Sequence, residues 1–345
     1  MQNLRNIIDN HTDEESIIYQ LKKVIEDYDD AHTMTHLSKP IDVLLVDAID
    51  AIQEQSVYDS LIKTPFNSLN HVIGGFAMGE MIVIGGRPSM GKTQFLINLA
   101  THLSKEHPTL FVSYDLSEHL LTYKILSTIT KFEVDELLRR QITNEEKTLL
   151  NKYKTEGFKQ HLFINDARSN SINDLKKHCI NQIKENGIKV IMIDYLQLLK
   201  GNRKYQNRDA EISYICRELK SLASEHQVCI IITSQLSRAL ENRGGDRRPK
   251  LSDLRDSGAI EQDADKVLML YRPIYYGVEF DEDNMPTKNI MKVIIAKNRR
   301  GGLGEITLSH NASFSVLTDH VLELGSFNFS SSRLDEIDTK GDNPF

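Results

Sequence analysis

From residue 60 to about 325, short apolar runs alternate with stretches whose apolar positions recur at helical spacing. The runs at 81–85, 110–114, 161–165, 189–193, 228–233, 267–271 and 290–296 have strand length and are separated by helical or polar sequence. They predict buried strands of an α/β core with a mainly parallel central sheet. Ahead of this core, residues 1–30 show helical spacing and end in the acidic run Glu26-Asp27-Tyr28-Asp29-Asp30, and 31–40 read as a linker closing at Pro40. A helix is expected from Ile41 to Gln55, with Leu45, Ala48, Ile49 and Ile52 on one face. Spacing alone favours a helix packed on its own domain over one docked on a neighbouring subunit. The last residues, FNFSSSRLDEIDTKGDNPF, are polar and predict a disordered tail.

In an α/β sheet ligands gather at the carboxyl ends of the parallel strands, so the residues that follow each run carry the chemistry. After the first run comes Gly86-Arg87-Pro88-Ser89-Met90-Gly91-Lys92-Thr93-Gln94. Its first eight residues match G-x-x-x-x-G-K-[ST], whose backbone N–H groups close around phosphates, with a lysine on the β- and γ-phosphates and a hydroxyl on Mg²⁺. The strand before it and the helix after it supply the right context, and the helix N-terminus adds its own attraction for anions. A chance glycine turn would give Lys92 no reason to be there. Lys92 and Thr93 are therefore read as phosphate and magnesium contacts for a nucleotide.

The run at 189–193 ends in Asp194, placed to hold the magnesium, often through water. A helix N-cap is the competing reading. The run at 228–233 leads into Ser234-Gln235, where an amide can contact the γ-phosphate, although Ser-Gln is also ordinary turn chemistry. The run at 110–114 leads into Asp115, a candidate base for the attacking water. Glu118 competes for that role, and both acids would also suit the start of a helix. The last long run ends in Lys297-Asn298-Arg299-Arg300, and arginine at a strand end can reach transferring phosphate, its own or a neighbour's. Residues 238–255 carry Arg238, Arg243, Arg247, Arg248, Lys250 and Arg255, with Gly244-Gly245 and Pro249, and read as a mobile positive loop able to clamp a phosphate backbone. Arg203, Lys204 and Arg208 form a second basic stretch. Each charge run reads equally well as a solvated face.

Composition bounds these readings. The chain has 345 residues, 40% hydrophobic and 26% charged, which is the composition of a globular protein. The net charge of −7 excludes a general basic surface, so nucleic acid must be met locally. Cys179, Cys216 and Cys229 are dispersed, which argues against a disulfide framework or zinc site and suits the cytosol. No apolar run approaches the roughly 18 residues of a membrane span, and the N-terminus lacks a signal-peptide core, so a cytoplasmic protein without membrane contact is expected.

Taken together, GRPSMGKT, IDYLQLL at 193–199, SQLSR at 234–238, LSDLRDSGAIEQDAD at 251–265 and KNRRGG at 297–302 resemble, in order, the helicase domain of bacterial replicative DnaB-family helicases. The resemblance covers about residues 58–310. It implies a RecA-like fold over 58–325, a linker helix at 41–57 docked on the adjacent subunit, and a homo-hexameric ring. That ring would move along single-stranded DNA with ATP and Mg²⁺ and unwind forked duplex DNA, with a helicase loader or primase as further partners. By resemblance Lys92 and Thr93 are the phosphate and magnesium contacts, Asp194 holds the magnesium, Gln235 senses the γ-phosphate, and Lys297 and Arg299 cross to the neighbour's nucleotide. Arg255, Asp256, Ser257 and Gly258 line the DNA channel, and Arg238 and Arg208 join them as DNA-binding candidates. Head-to-tail contact of a finger on one subunit with a nucleotide on the next closes into a ring or extends as a filament.

Two departures stand out. The family usually has S-L-E-M where this chain has Ser113-Tyr114-Asp115-Leu116, and a carboxylate one methylene shorter can be a compensated base, a slow one or none. The family also carries a helical domain of about a hundred residues where only about 40 precede Ile41, which suggests a phage or mobile-element form. The terminal Gly341-Asp342-Asn343-Pro344-Phe345 resembles the acidic tips by which single-strand-binding proteins recruit partners. Competing functions are a RecA-like ATPase of recombination or regulatory type, and a catalytically weakened paralogue that binds ATP for assembly.

Overall fold

The computed structural model describes residues 40–320, apart from 55, 57–59, 140–141, 159, 245–246, 255–256 and 282–283. The helix expected over 1–30, the linker before Pro40, the tail from 321 onward, and Arg255 and Asp256 therefore lie outside the described residues. The chain divides into two units, Met1–Ser60 and Leu61–Phe345.

In the first unit, Pro40 precedes helix α1 (Ile41–Gln53), a position where the missing proline N–H costs no helical bond. None of the helix's residues is buried. Ile41, Leu45, Ile49 and Ile52 are each more than half exposed.

The second unit is built on a nine-stranded sheet. Its order is β3 (Leu162–Asp166), β2 (Thr109–Ser113), β4 (Val190–Asp194), β5 (Cys229–Gln235), β1 (Met81–Gly86), β6 (Lys266–Tyr271), β7 (Ile290–Asn298), β8 (Gly304–His310) and β9 (Leu317–Asp319). Pairs from β3 through β6 are parallel. The three pairs from β6 through β9 are antiparallel. Strands β1, β2, β4 and β6 are buried along their whole length, which is why they read as continuous apolar runs rather than as alternation.

Helices cover both faces. Ile82 and Ile84 of β1 point into a core shared with α2 (Asn67–Ile73), α3 (Lys92–Leu103) and α4 (Glu118–Thr130). There Phe66 and Phe95 stack with centroids 5.4 Å apart. After α5 (Val134–Arg139) and α6 (Asn144–Glu156), α7 (Ile172–Asn186) and α8 (Arg208–His226) cover the other face, where Met81 and Val83 meet Leu175, Ile215 and Leu219. The short α9 (Ser257–Asp263) packs against α8. Among the described residues no helix is long and apolar enough to cross a membrane.

The last two strands are absent from the sequence reading. In β8 only Ile306, Leu308 and His310 turn inward, between partly exposed Glu305, Thr307 and Ser309. Such short half-polar alternation, opened by a glycine, looks like loop. Strand β9 is held by Asp319, whose carboxylate accepts hydrogen bonds from the backbone N–H of Asn67 (2.7 Å) and Ser68 (3.1 Å) at the start of α2.

Candidate functional site

Strand register brings the sequence-predicted residues to one edge of the sheet. Gly86 at the end of β1 pairs with Gln235 at the end of β5, and Ser113 of β2 pairs with Asp194 of β4. Neighbouring strands lie about 4.8 Å apart, so the four segments that follow converge. A cleft of about 480 Å³ opens there, lined by Pro88, Ser89 and Gly91 to Gln94 of the phosphate loop together with Asp115, Lys124, Asp194, Tyr195, Gln235, Ser313 and Phe314. Its size is that of a small-molecule site. Glu118 is not among the lining residues; it lies in the first turn of α4, beyond the Ser117 N-cap. The two candidate bases are thereby separated.

Gly91 takes the left-handed φ of 89° that lets the chain enter α3. A Cβ at this position would also collide with the Phe314 ring. The Lys92 ammonium donates to the carbonyls of Gly86 (2.9 Å) and Arg87 (3.1 Å). Burial pushes its pKa down to about 8, opposed by Asp194 and Asp115 and aided by Arg87. The Thr93 hydroxyl donates to Asp194 Oδ2 at 2.6 Å, and the Thr233 hydroxyl donates to Oδ1 at 2.5 Å. Asp194 is buried, and a cis peptide joins it to Tyr195.

A hydroxyl and a carboxylate side by side are hard oxygen donors of the kind that suits Mg²⁺. Among the described residues no group of three or more His, Cys, Asp or Glu could hold a metal ion. Thr93 and Asp194 therefore fit an ion that arrives with its ligand's phosphates and keeps several waters, rather than one caged by protein.

Several expected residues are used differently. Met90 is buried in the core, and its side chain does not line the cleft. Arg87 also turns away from the cleft: its guanidinium donates to the Leu236 carbonyl (2.9 Å) and to the Glu241 carboxylate (2.5 Å). The Gln94 amide donates to Thr128 Oγ1 (2.9 Å) and the Ser315 carbonyl (2.7 Å). Arg208, expected on DNA, donates to the carbonyls of Gln197 and Leu199 (2.9 and 3.0 Å) and pairs with Glu211 at 2.5 Å. These partners hold its guanidinium, while the side chain remains 36% exposed.

The basic loop is likewise more internal than its composition suggests. Arg243 pairs with Asp253, Arg248 pairs with Glu305, and the Arg247 guanidinium lies over Tyr276. Arg238 and Gly258 are exposed. Asp253 also accepts the Lys250 N–H, so the described residues Arg243, Arg248 and Lys250 are each braced against an acid.

Lys297 and Arg299 do not join the cleft. Because β7 runs antiparallel, its carboxyl end pairs with the amino end of β6, Asn298 opposite Lys266. The Arg299 backbone N–H donates to the Asp265 carbonyl (3.0 Å), and its guanidinium meets Asp265 Oδ1 (3.3 Å) and the Gln262 carbonyl. Lys297 donates to the carbonyls of Glu261 and Gln262; burial, with Arg299 alongside, holds its pKa below the usual lysine value. Asp265 Oδ2 accepts the Met81 N–H at 2.8 Å. Arg299 is thus anchored at the start of β1, and Lys92 at its end. The strand separates them by about 17 Å, so of the two open readings, its own phosphate or a neighbour's, the first does not fit this placement of Arg299.

Two contributors escaped the sequence reading. Gln197 accepts the Gln235 N–H (3.0 Å) and donates to Ser234 Oγ (2.9 Å), fixing the end of β5. The only signal was its place just after Asp194. Phe314, in the β8–β9 turn, forms part of the cleft wall, and the Arg272 guanidinium lies 4.3 Å from its ring centroid. Arg272 also donates to the Ser89 carbonyl at 3.2 Å. Apart from His310, whose ring meets Phe314 edge-on, its partners are more than 200 positions away in the phosphate loop or lie across the sheet, so little local signal marks it.

Comparison with known proteins agrees with this geometry. Residues 62–319 match the family described as DnaB-like helicase C terminal domain. The replicative DNA helicase DnaB of Geobacillus stearothermophilus is 35% identical over 275 residues, covering 79% of this chain and 59% of that protein. A structure titled as the ATPase domain of G40P aligns at 32% identity over 83% of this chain and 100% of its own, with a TM-score of 0.73. A DnaB-like replicative helicase, described with its interactions with primase, aligns at 30% identity over 92% of this chain and 75% of its own, with a TM-score of 0.71. The chain spans somewhat under three fifths of the length of the curated relatives it matches. Because that family's pattern matches residues 62–319, most of the chain, and these relatives are 30% or more identical to it, the chain belongs to the DnaB-like helicase C-terminal domain family.

Proposed function

We propose that this chain is the motor of an ATP-dependent replicative DNA helicase: a hexameric ring that moves along single-stranded DNA and unwinds duplex DNA at a fork, in the bacterial cytosol. The observation that carries this reading is the distance between the cleft and the Lys297–Arg299 pair. A cationic finger about one strand length from its own phosphate loop serves a phosphate only on another protomer. Family membership points the same way.

In this reading the backbone of 86–94 and Lys92 bind the triphosphate, and Phe314 and Tyr195 offer aromatic faces to the base. Thr93 and, through water, Asp194 would hold Mg²⁺, which when bound neutralises charge developing on the phosphates. Asp115 takes the proton from the attacking water, and Gln235 contacts the γ-phosphate. Arg299 and Lys297 enter the cleft of the next protomer, a contribution worth roughly 10³–10⁵ in rate for such fingers. Residues 255–258 and Arg238 meet the DNA backbone. The apolar face of α1 docks on the adjacent subunit, and a loader or primase would act on the assembled ring.

The test is strand separation on a forked duplex with ATP and Mg²⁺, run beside Lys92→Ala. The wild type unwinds and shows ATP turnover stimulated by single-stranded DNA, and the variant does neither. Wild-type protein that neither unwinds nor responds to DNA would overturn the reading.

A further inference from the structure

Arg87 belongs to the phosphate loop by sequence, yet its side chain is buried, away from the cleft, against the segment that leads to the candidate DNA contacts. Three features make this junction more than packing. The guanidinium donates to the Leu236 carbonyl and, through Nε (3.0 Å) and Nη2 (2.5 Å), to one oxygen of Glu241. Leu236 in turn donates its N–H to the Gly86 carbonyl (3.3 Å) and forms a β-bridge with Leu254. Ser237 donates its N–H to the Asp253 carbonyl at 2.8 Å. The phosphate loop is thus stitched to residues 236–254, and the chain passes directly from Leu254 into 255–258.

The stitch sits on the atoms that respond to phosphate. Lys92 rests its ammonium on the carbonyls of Gly86 and Arg87, the same two residues that hold Leu236 and Glu241. A phosphate that recruits this ammonium takes a hydrogen bond from both carbonyls, one of which is Arg87's own. A buried arginine left with one carbonyl in place of a carboxylate is strongly disfavoured, so Arg87 and Glu241 move together.

We infer that Arg87 and Glu241 are a positioning pair that couples the occupancy of the phosphate loop to the DNA-contacting segment of the same protomer. This rests on the helicase reading above. Neither side chain touches the reacting atoms in this role. Glu241 is the informative one to change, because its side chain is nearly half exposed and lies outside the cleft.

Coupling between two ligands is reciprocal and is read as one factor: how much a nucleotide tightens DNA binding. The experiment measures anisotropy of a labelled oligo(dT) with and without ATPγS, together with basal and DNA-stimulated ATP turnover and thermal melting. The wild type is expected to bind DNA about 10-fold or more tighter with nucleotide, within the usual 5–150-fold range. In Glu241→Gln that factor falls to within about twofold of unity and the DNA stimulation is lost, while basal turnover and ATPγS affinity without DNA stay as in the wild type. Glu241→Asp, which keeps the charge, recovers part of the factor. A folded Glu241→Gln that keeps the full factor overturns the coupling, as does one in which basal turnover and DNA binding fall in proportion. A wild type whose factor is unity overturns the helicase reading along with it.

Discussion

Lys92 and Arg299 are anchored at opposite ends of the same strand: Lys92 on the carbonyl of Gly86, and Arg299 on Asp265, whose carboxylate caps the N–H of Met81. One protomer therefore presents a phosphate site on one edge of its sheet and a cationic pair on the other. In the proposed assembly a second copy related by rotation would bring the two edges together, and repetition of that contact would close into a ring or run on as a filament.

Asp115 lines the cleft and Glu118 does not, so the proposed mechanism assigns the proton from the attacking water to Asp115. Asp115→Asn is expected to lower turnover by about 10²–10⁴-fold, the usual contribution of a positioned base, with ATP affinity unchanged. Steady-state ATPase and fluorescent-nucleotide titration check both halves; normal turnover in this variant removes Asp115 from the mechanism.

Lys92 gives the site a pH dependence of definite sign. Its pKa in the folded protein is about 8, against an ordinary 10.5. The protein thus holds Lys92 partly neutral above pH 8, where its partners in the phosphate would favour the charged form. ATP binding should take up a proton as pH rises through 8, and affinity should weaken between pH 7 and 9. Calorimetry in buffers of different ionisation heat reads the uptake directly. An affinity independent of pH, with no proton uptake, would refute the assignment.

Gln197 clamps the backbone of Gln235 and the hydroxyl of Ser234 without lining the cleft. Gln197→Ala should lower kcat about tenfold through a displaced sensor while leaving ATP affinity near wild type, since misplacement of about 1 Å costs up to about 10² in rate. An equal loss in affinity would instead show collapse of the cleft.

The lower edge of the sheet depends on a buried pair. The Lys266 ammonium is 2.5 Å from Glu80, and both are almost wholly inaccessible. Lys266→Met should cost about 3–5 kcal/mol because buried Glu80 loses its close cation and keeps only the exposed Arg300 at 3.3 Å and the Ala77 N–H at 2.9 Å, and pairing it with Glu80→Gln should restore much of that loss. Denaturant melts of the single and double variants measure the difference.

The parts of the site that were legible in the sequence are those whose chemistry is contiguous. Lys92 and Thr93 follow a glycine turn, and Asp194 and Gln235 each end an apolar strand, so strand order alone gathers them. The parts that were not legible depend on long-range pairing. The arginines at 243, 248 and 208 look alike as charges, and only the fold shows that Asp253, Glu305 and two carbonyls claim them. Phe314 is a lone aromatic in a polar turn until β8 and β9 carry it to Gly91. The placement of Arg299 required knowing that β7 runs antiparallel, which an apolar run does not disclose.

The shared site is tested most directly by mixing two inactive variants. Lys92→Ala lacks the phosphate lysine and Arg299→Ala lacks the finger, and each alone should show almost no ATP turnover with single-stranded DNA. Dissociated and reassembled together in equal amounts, they should regain turnover approaching roughly a quarter of wild type, because that fraction of seams joins an intact cleft to an intact finger. A mixture as inactive as its two components would contradict a cleft completed across the seam.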